Sequence, residues 1–181
     1  MRTVYEGNHW RVKGPTVAVL AHDGARFSQV QRLLALAKGP SFICAASAEA
    51  YEWLDAPVYA DVAAERGEVG ALVTALALAS TEWVQVVSTR VPFVTAELLD
   101  VLWLHRHAHT DAVCLARADG LEPRVGLYRR ALVYDWEPRL AGAPTWTSLL
   151  DGCRVDEVRW SPAESFSNAP TVATVAGQVT W

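Results

Sequence analysis

Between Thr16 and Trp160, short continuous apolar runs alternate with stretches of helical periodicity, and this alternation limits what the chain can fold into. Thr16-Val17-Ala18-Val19-Leu20-Ala21 is apolar throughout and bounded by turn residues, the pattern of a strand buried on both faces. Further strands are predicted over 41–45, 58–60, 84–88, 111–116, 124–128 and 155–160. Helices are predicted over 68–79 and 96–107, and shorter helical pieces over 48–54 and 147–150. Another helix has Val30, Leu33, Leu34 and Ala37 on its apolar face, with Ser28 and Gln31 at the spacing of a capping box. A helical stretch over 129–140 is interrupted by Pro138. Strands alternating with helices mean parallel βαβ units, so the expected fold is a three-layer, Rossmann-like α/β domain with a mostly parallel sheet.

A length of 181 residues suits one domain over 1–181, and neither a repeat nor a linker divides it. The net charge of −4 comes from interleaved acidic and basic residues, without the basic stripe that nucleic acid or an anionic membrane surface requires. Cys44, Cys114 and Cys153 lie far apart, which supports neither a disulfide framework nor a zinc site. Residues 1–13 lack the apolar core of a signal peptide, and no apolar run approaches the roughly 20 residues of a membrane span, so a cytoplasmic setting is expected. The eight tryptophans read either as core and sheet-edge packing or as part of a partner surface.

Ligands of open α/β sheets sit beyond the carboxyl ends of the strands. Arg90 falls there, after the strand 84–88, and Asp61 follows the strand 58–60 directly. His105 and His109 stand at i and i+4 if their helix continues, a metal-compatible spacing, or else meet solvent and the dipole at its C-terminus. His22-Asp23 reads as a turn or as an orienting acid–base pair. Glu65-Arg66-Gly67-Glu68 reads as a solvated loop leading into a helix.

Several segments together resemble the molybdenum cofactor guanylyltransferase family from about Thr16 to Val175. Asp61 followed by Gly67-Glu68-Val69-Gly70-Ala71-Leu72 is similar to the family's aspartate and Gly-Pro-Leu-Ala-Gly helix start. Val91-Pro92-Phe93 looks like the end of its Cys-Asp-Met-Pro-Phe segment. Leu121-Glu122-Pro123, with Gly126-Leu127-Tyr128-Arg129-Arg130, resembles its Gln-Pro-Leu and Leu-Tyr-Arg-Arg stretches, and Phe166-Ser167-Asn168 its Phe-x-Asn ending. The resemblance implies a nucleotidyltransferase fold, with GTP and molybdopterin as partners, Mg²⁺ as cofactor and transfer of GMP as the reaction. It places Leu20, Ala21, Arg26, Asp61 and Arg90 at the nucleotide, and Arg129 and Asn168 near the cofactor.

Two departures change that expectation. The family's Leu-Ala-Gly-Gly loop and its lysine cradle the triphosphate, whereas here Leu20-Ala21-His22-Asp23-Gly24-Ala25-Arg26 enters its helix at once, with Arg26 as a partial substitute for the lysine. The family's Mg²⁺-binding aspartate is replaced by Arg90, and a guanidinium neither ligates a cation nor loses its proton. The expected function is therefore a degenerate, accessory form that binds a nucleotide, the cofactor or a protein partner or oligomer. The alternatives are an active transferase in which Arg90 and Arg26 replace metal and lysine, and an interaction module with a closed site.

Overall fold

The computed structural model describes residues 14–22, 24–91, 94–118 and 120–160. Its strands are β1 (Thr16–Ala21), β2 (Ser41–Ala45), β3 (Val58–Ala60), β4 (Trp83–Ser88), β5 (Ala112–Arg117), β6 (Gly120–Arg129) and β7 (Val155–Arg159). They form one seven-stranded sheet in the order β3-β2-β1-β4-β6-β5-β7. β6 runs antiparallel to its neighbours β4 and β5, and the other pairings are parallel. The helices are α1 (Phe27–Leu34), α2 (Glu68–Leu78), α3 (Ala96–Leu104), α4 (Val133–Trp136) and α5 (Trp146–Leu150).

The period-2 geometry of a strand divides its side chains between two cores. Ala18 and Leu20 of β1 pack with α2, α4 and α5, whereas Val17, Val19 and Ala21 pack with α1 and α3. β4 divides in the same way, Val84 and Val86 against Trp83 and Val87. Both faces are covered, so the fold is a three-layer α/β arrangement, as the apolar runs imply. Gln85 is buried, and its Nε2 donates to the Leu99 carbonyl at 2.8 Å, which offsets the cost of burying an amide. Gly126 in β6 makes room for the Tyr128 ring, 2.9 Å from where a Cβ would stand. The free thiols of Cys44 and Cys114 are buried in β2 and β5; burial pushes the Cys114 thiol up to about 12 and raises that of Cys44 further, with Asp61 adding to the latter.

Local chemistry moves several boundaries. α1 begins at Phe27 with Arg26 as its N-cap and no side-chain cap bond, so Ser28 lies inside the helix and the capping-box reading fails. Thr95 caps α3 by accepting the Leu98 N–H at 3.3 Å. α3 stops at Leu104, short of residue 107, and the C-cap His105 turns its Nδ1 onto the Val101 carbonyl at 2.8 Å. His105 and His109 therefore share no helical face, and among the described residues no group of three or more His, Cys, Asp or Glu side chains is placed to hold a metal. The 129–140 stretch is a 3₁₀ turn (Arg130–Leu132), the single turn α4, and a second 3₁₀ turn (Pro138–Gly142). Pro138 has no N–H for a continuing α-helical ladder. α5 carries a reciprocal cap, in which Ser148 N–H donates to Thr145 Oγ1 at 3.1 Å and Thr145 N–H to Ser148 Oγ at 2.9 Å. No described helix is long and apolar enough to cross a membrane.

Candidate functional site

β1, β3 and β4 end on the same side of the sheet, and the N-terminus of α2 arrives there too. The chain turns into α2 through Gly67, whose φ of 56° is a left-handed conformation that favours glycine. These ends enclose a cavity of about 110 Å³. Leu20 and Ala21 line it from β1, His22 from the loop after β1, Asp61 from just beyond β3, Glu68 from α2 and Arg90 from the loop after β4. Asp61 is fixed through its own N–H, which donates to the Ala45 carbonyl at 3.0 Å.

Glu68 is the centre of the arrangement. Its Oε2 meets Arg90 Nε at 3.5 Å and accepts a hydrogen bond from Arg124 Nε at 3.0 Å, while Oε1 accepts from the Ser88 hydroxyl. Ser88 Oγ in turn accepts the Arg90 N–H at 3.1 Å. Arg124 also donates to Glu122 Oε1 through Nη1 at 3.2 Å. Burial works against the charge of Arg124, but the hydrogen bond and charge of Glu68, then those of Glu122, outweigh it and raise its pKa above the usual arginine value. The Glu68 side chain is only 13% exposed, against 57% for Arg90 and 37% for Arg124, so the carboxylate lies beneath two guanidiniums that face outward. Glu68 also opens α2, where a negative charge is favoured by the helix dipole. The two arms differ in strength. An ion pair as exposed as that of Arg90 contributes about 0–1 kcal/mol, whereas a charged hydrogen bond such as that of Arg124 contributes roughly 1.5–3 kcal/mol before its partial exposure is discounted.

The loop after β1 is pinned to the end of β4. Thr89 is buried; its N–H donates to the Leu20 carbonyl at 3.0 Å and its hydroxyl to the same oxygen at 3.2 Å. With its single proton committed, that hydroxyl accepts from the His22 N–H at 3.2 Å and from His22 Nδ1 at 2.6 Å. Gln29 Nε2 donates to the Thr89 carbonyl. His22 thus fills the mouth of β1 with an imidazole, at a position where the resembled family has a glycine.

The residues singled out from sequence divide accordingly. Leu20, Ala21, Asp61 and Arg90 come together around the cavity. Arg26 is exposed at the start of α1 and does not line it. Arg129 lies at the opposite end of the sheet, paired with Trp83 at the start of β4. There it stacks over the Trp83 ring at 4.5 Å, pairs with Glu82, and donates to the Thr110 carbonyl at 2.5 Å and the Ala108 carbonyl at 2.8 Å. These contacts describe a clamp between strand ends. Asn168 lies outside the described residues. Glu68 and Arg124 are the residues that sequence reasoning missed. Glu68 is no solvated helix start but the partner of Arg90, and the signal was available as a new carboxylate accompanying a new cation. His22 pairs with Thr89, and Asp23 lies outside the described residues.

A Mg²⁺ ion, which the resemblance implies, requires carboxylate and water oxygens in near-octahedral array. The residues here do not fit it. The end of β4 presents a guanidinium, and the Glu68 carboxylate is already engaged by two guanidiniums and a hydroxyl. The cavity of about 110 Å³ is also smaller than the roughly 300–1,000 Å³ of typical ligand sites.

Comparison with known proteins agrees with this architecture. The chain is similar to the Aquifex aeolicus VF5 protein Aq1419, with 23% identity and a TM-score of 0.67 over 89% of this chain and 95% of that one. It is also similar to molybdopterin-guanine dinucleotide biosynthesis protein A from Archaeoglobus fulgidus, with 18% identity and a TM-score of 0.68 over 84% and 87%. A third likeness is to 2-C-methyl-D-erythritol 4-phosphate cytidylyltransferase from Thermus thermophilus, with 15% identity and a TM-score of 0.59 over 81% and 88%. At these identities the likenesses establish the fold. No curated protein sequence matches the chain. The sequence profile of the MobA-like NTP transferase domain matches residues 10–157, most of the chain, which therefore belongs to the family of MobA-like NTP transferase domains.

Proposed function

We propose that this MobA-like protein does not carry out Mg²⁺-dependent nucleotidyl transfer and acts as an accessory protein that binds a nucleotide, the molybdenum cofactor or a protein partner. The observation that carries this reading is the Arg90–Glu68–Arg124 cluster at the place where the family needs an anionic metal ligand. Nucleotidyl transfer depends on cations that neutralise charge building on the reacting phosphate, held by residues arranged before the substrate arrives. Here the cationic arms are spent on an internal carboxylate, and the loop of successive backbone N–H groups is replaced by a short turn pinned through Thr89.

The test supplies purified protein with GTP, molybdopterin and Mg²⁺ and follows release of pyrophosphate and formation of the guanylated cofactor. The reading expects no product above a protein-free blank. Turnover at the rate of an ordinary family member refutes it. Turnover that is lost in Arg90→Ala but unaffected by chelators would instead establish a transferase with arginine in place of metal.

A further inference from the structure

Two partly exposed guanidiniums, those of Arg90 and Arg124, share one largely covered carboxylate, that of Glu68. We infer that Arg90 and Arg124 bind the phosphoryl group of a phosphomonoester directly, without metal, when it displaces the Arg90 arm from Glu68. This inference rests on the reading that the site works without Mg²⁺ and adds the ligand class and the residues that hold it.

Several observations converge. Arg90 is the more exposed and more weakly held arm, and it lines the cavity with Glu68, so it can reach an incoming anion with little loss. Arg124 does not itself line the cavity; it reaches the same carboxylate oxygen from β6 and keeps Glu122 as a second partner, so its fork is available to an anion that takes the place of that carboxylate. Guanidinium forks match phosphate oxygens in geometry as well as charge. The cavity of about 110 Å³ leaves room for one phosphoryl group. Asp61 lines the same cavity. Its carboxylate disfavours a chain of phosphates but accepts from hydroxyl or amino groups, so an ester whose remainder carries such donors suits both ends. A triphosphate would place further negative charge near Asp61 with no metal to offset it.

Inorganic phosphate, titrated calorimetrically in EDTA at constant ionic strength, is the first probe. Wild-type protein is expected to bind it saturably with one site. Arg90→Ala is expected to weaken binding roughly tenfold to a hundredfold, the size of a lost charge-assisted contact. Glu68→Gln is expected to tighten it several-fold, because the competing internal charge is gone, and a gain in affinity cannot arise from misfolding. Arg124→Lys, which keeps charge but loses the fork, should weaken binding without unfolding the protein. The inference is overturned if neither wild type nor Glu68→Gln binds phosphate, or if Arg90→Ala binds as wild type does. Phosphate binding that appears only when Mg²⁺ is added refutes the metal-free premise of the proposed function as well. Absence of binding in every buffer overturns this inference alone and leaves the transfer assay as the judge of the other.

Discussion

Trp136→Ala is expected to lower the free energy of unfolding by about 3–5 kcal/mol, the usual cost of removing a large buried aromatic side chain. Trp136 is 1% exposed and meets the Tyr128 ring edge-on, with centroids 5.8 Å apart and planes at 69°. The substitution removes both the buried area and the aromatic pair, and the rigid surroundings cannot collapse into the space. α4, which carries Trp136, packs against α2, and α2 begins with Glu68. The loss is therefore expected to loosen the helix that presents the hub carboxylate. Urea denaturation followed by tryptophan fluorescence and circular dichroism measures the change. A loss below about 1 kcal/mol would show that the Trp136 site is not packed as described.

Gly70→Ala should also destabilise, against the trend for helices. Alanine in place of glycine inside a helix ordinarily gains up to about 1 kcal/mol. At Gly70, however, a Cβ would stand 2.2 Å from the Ala63 carbonyl oxygen and 3.3 Å from the Ala63 Cβ. Both obstacles belong to the turn that links Asp61 to α2, and neither is the flexible end of a side chain. Either α2 or that turn must shift, and overpacking of this kind costs roughly 1–3 kcal/mol. The same shift would part Glu68 from Arg90 and Arg124. Chemical denaturation reads the first effect. A Gly70→Ala protein more stable than wild type would contradict the close approach of α2 to this turn.

Much of the fold was legible because strands buried on both faces must be apolar throughout, as 16–21 and 84–88 are. The position of Arg90 was legible for the same reason, since it follows the end of such a strand. Glu68 was not. Its neighbours in sequence describe only the start of a helix, and its stronger partner, Arg124, is 56 residues away on a strand that enters the sheet antiparallel between β4 and β5. A pair of that kind depends on strand order, which periodicity does not encode. The same limit explains Arg129. The sequence shows an arginine beside a resembled motif, whereas the pairing of β6 with β4 carries it to the far end of the sheet. Local competition explains the smaller errors. Ser28 and Gln31 have the spacing of a cap, but the helix begins two residues earlier than that cap would set it, at Phe27 with Arg26 as N-cap. His105 closes α3 with its own ring on a carbonyl, where helical spacing alone would have continued to His107.

The proposed function rests on an ion cluster standing where the family binds its metal, and divalent-cation binding tests it most directly. Mn²⁺, which is paramagnetic and takes the same oxygen ligands as Mg²⁺, can be titrated with the protein while the free-ion electron paramagnetic resonance signal is recorded. Wild-type protein is expected to leave that signal as it is in a protein-free sample of the same composition through the micromolar range, whether or not GTP is present. A saturable micromolar site that weakens in Glu68→Gln or Asp61→Asn would contradict the account, because it would mean that these carboxylates hold a metal beside Arg90.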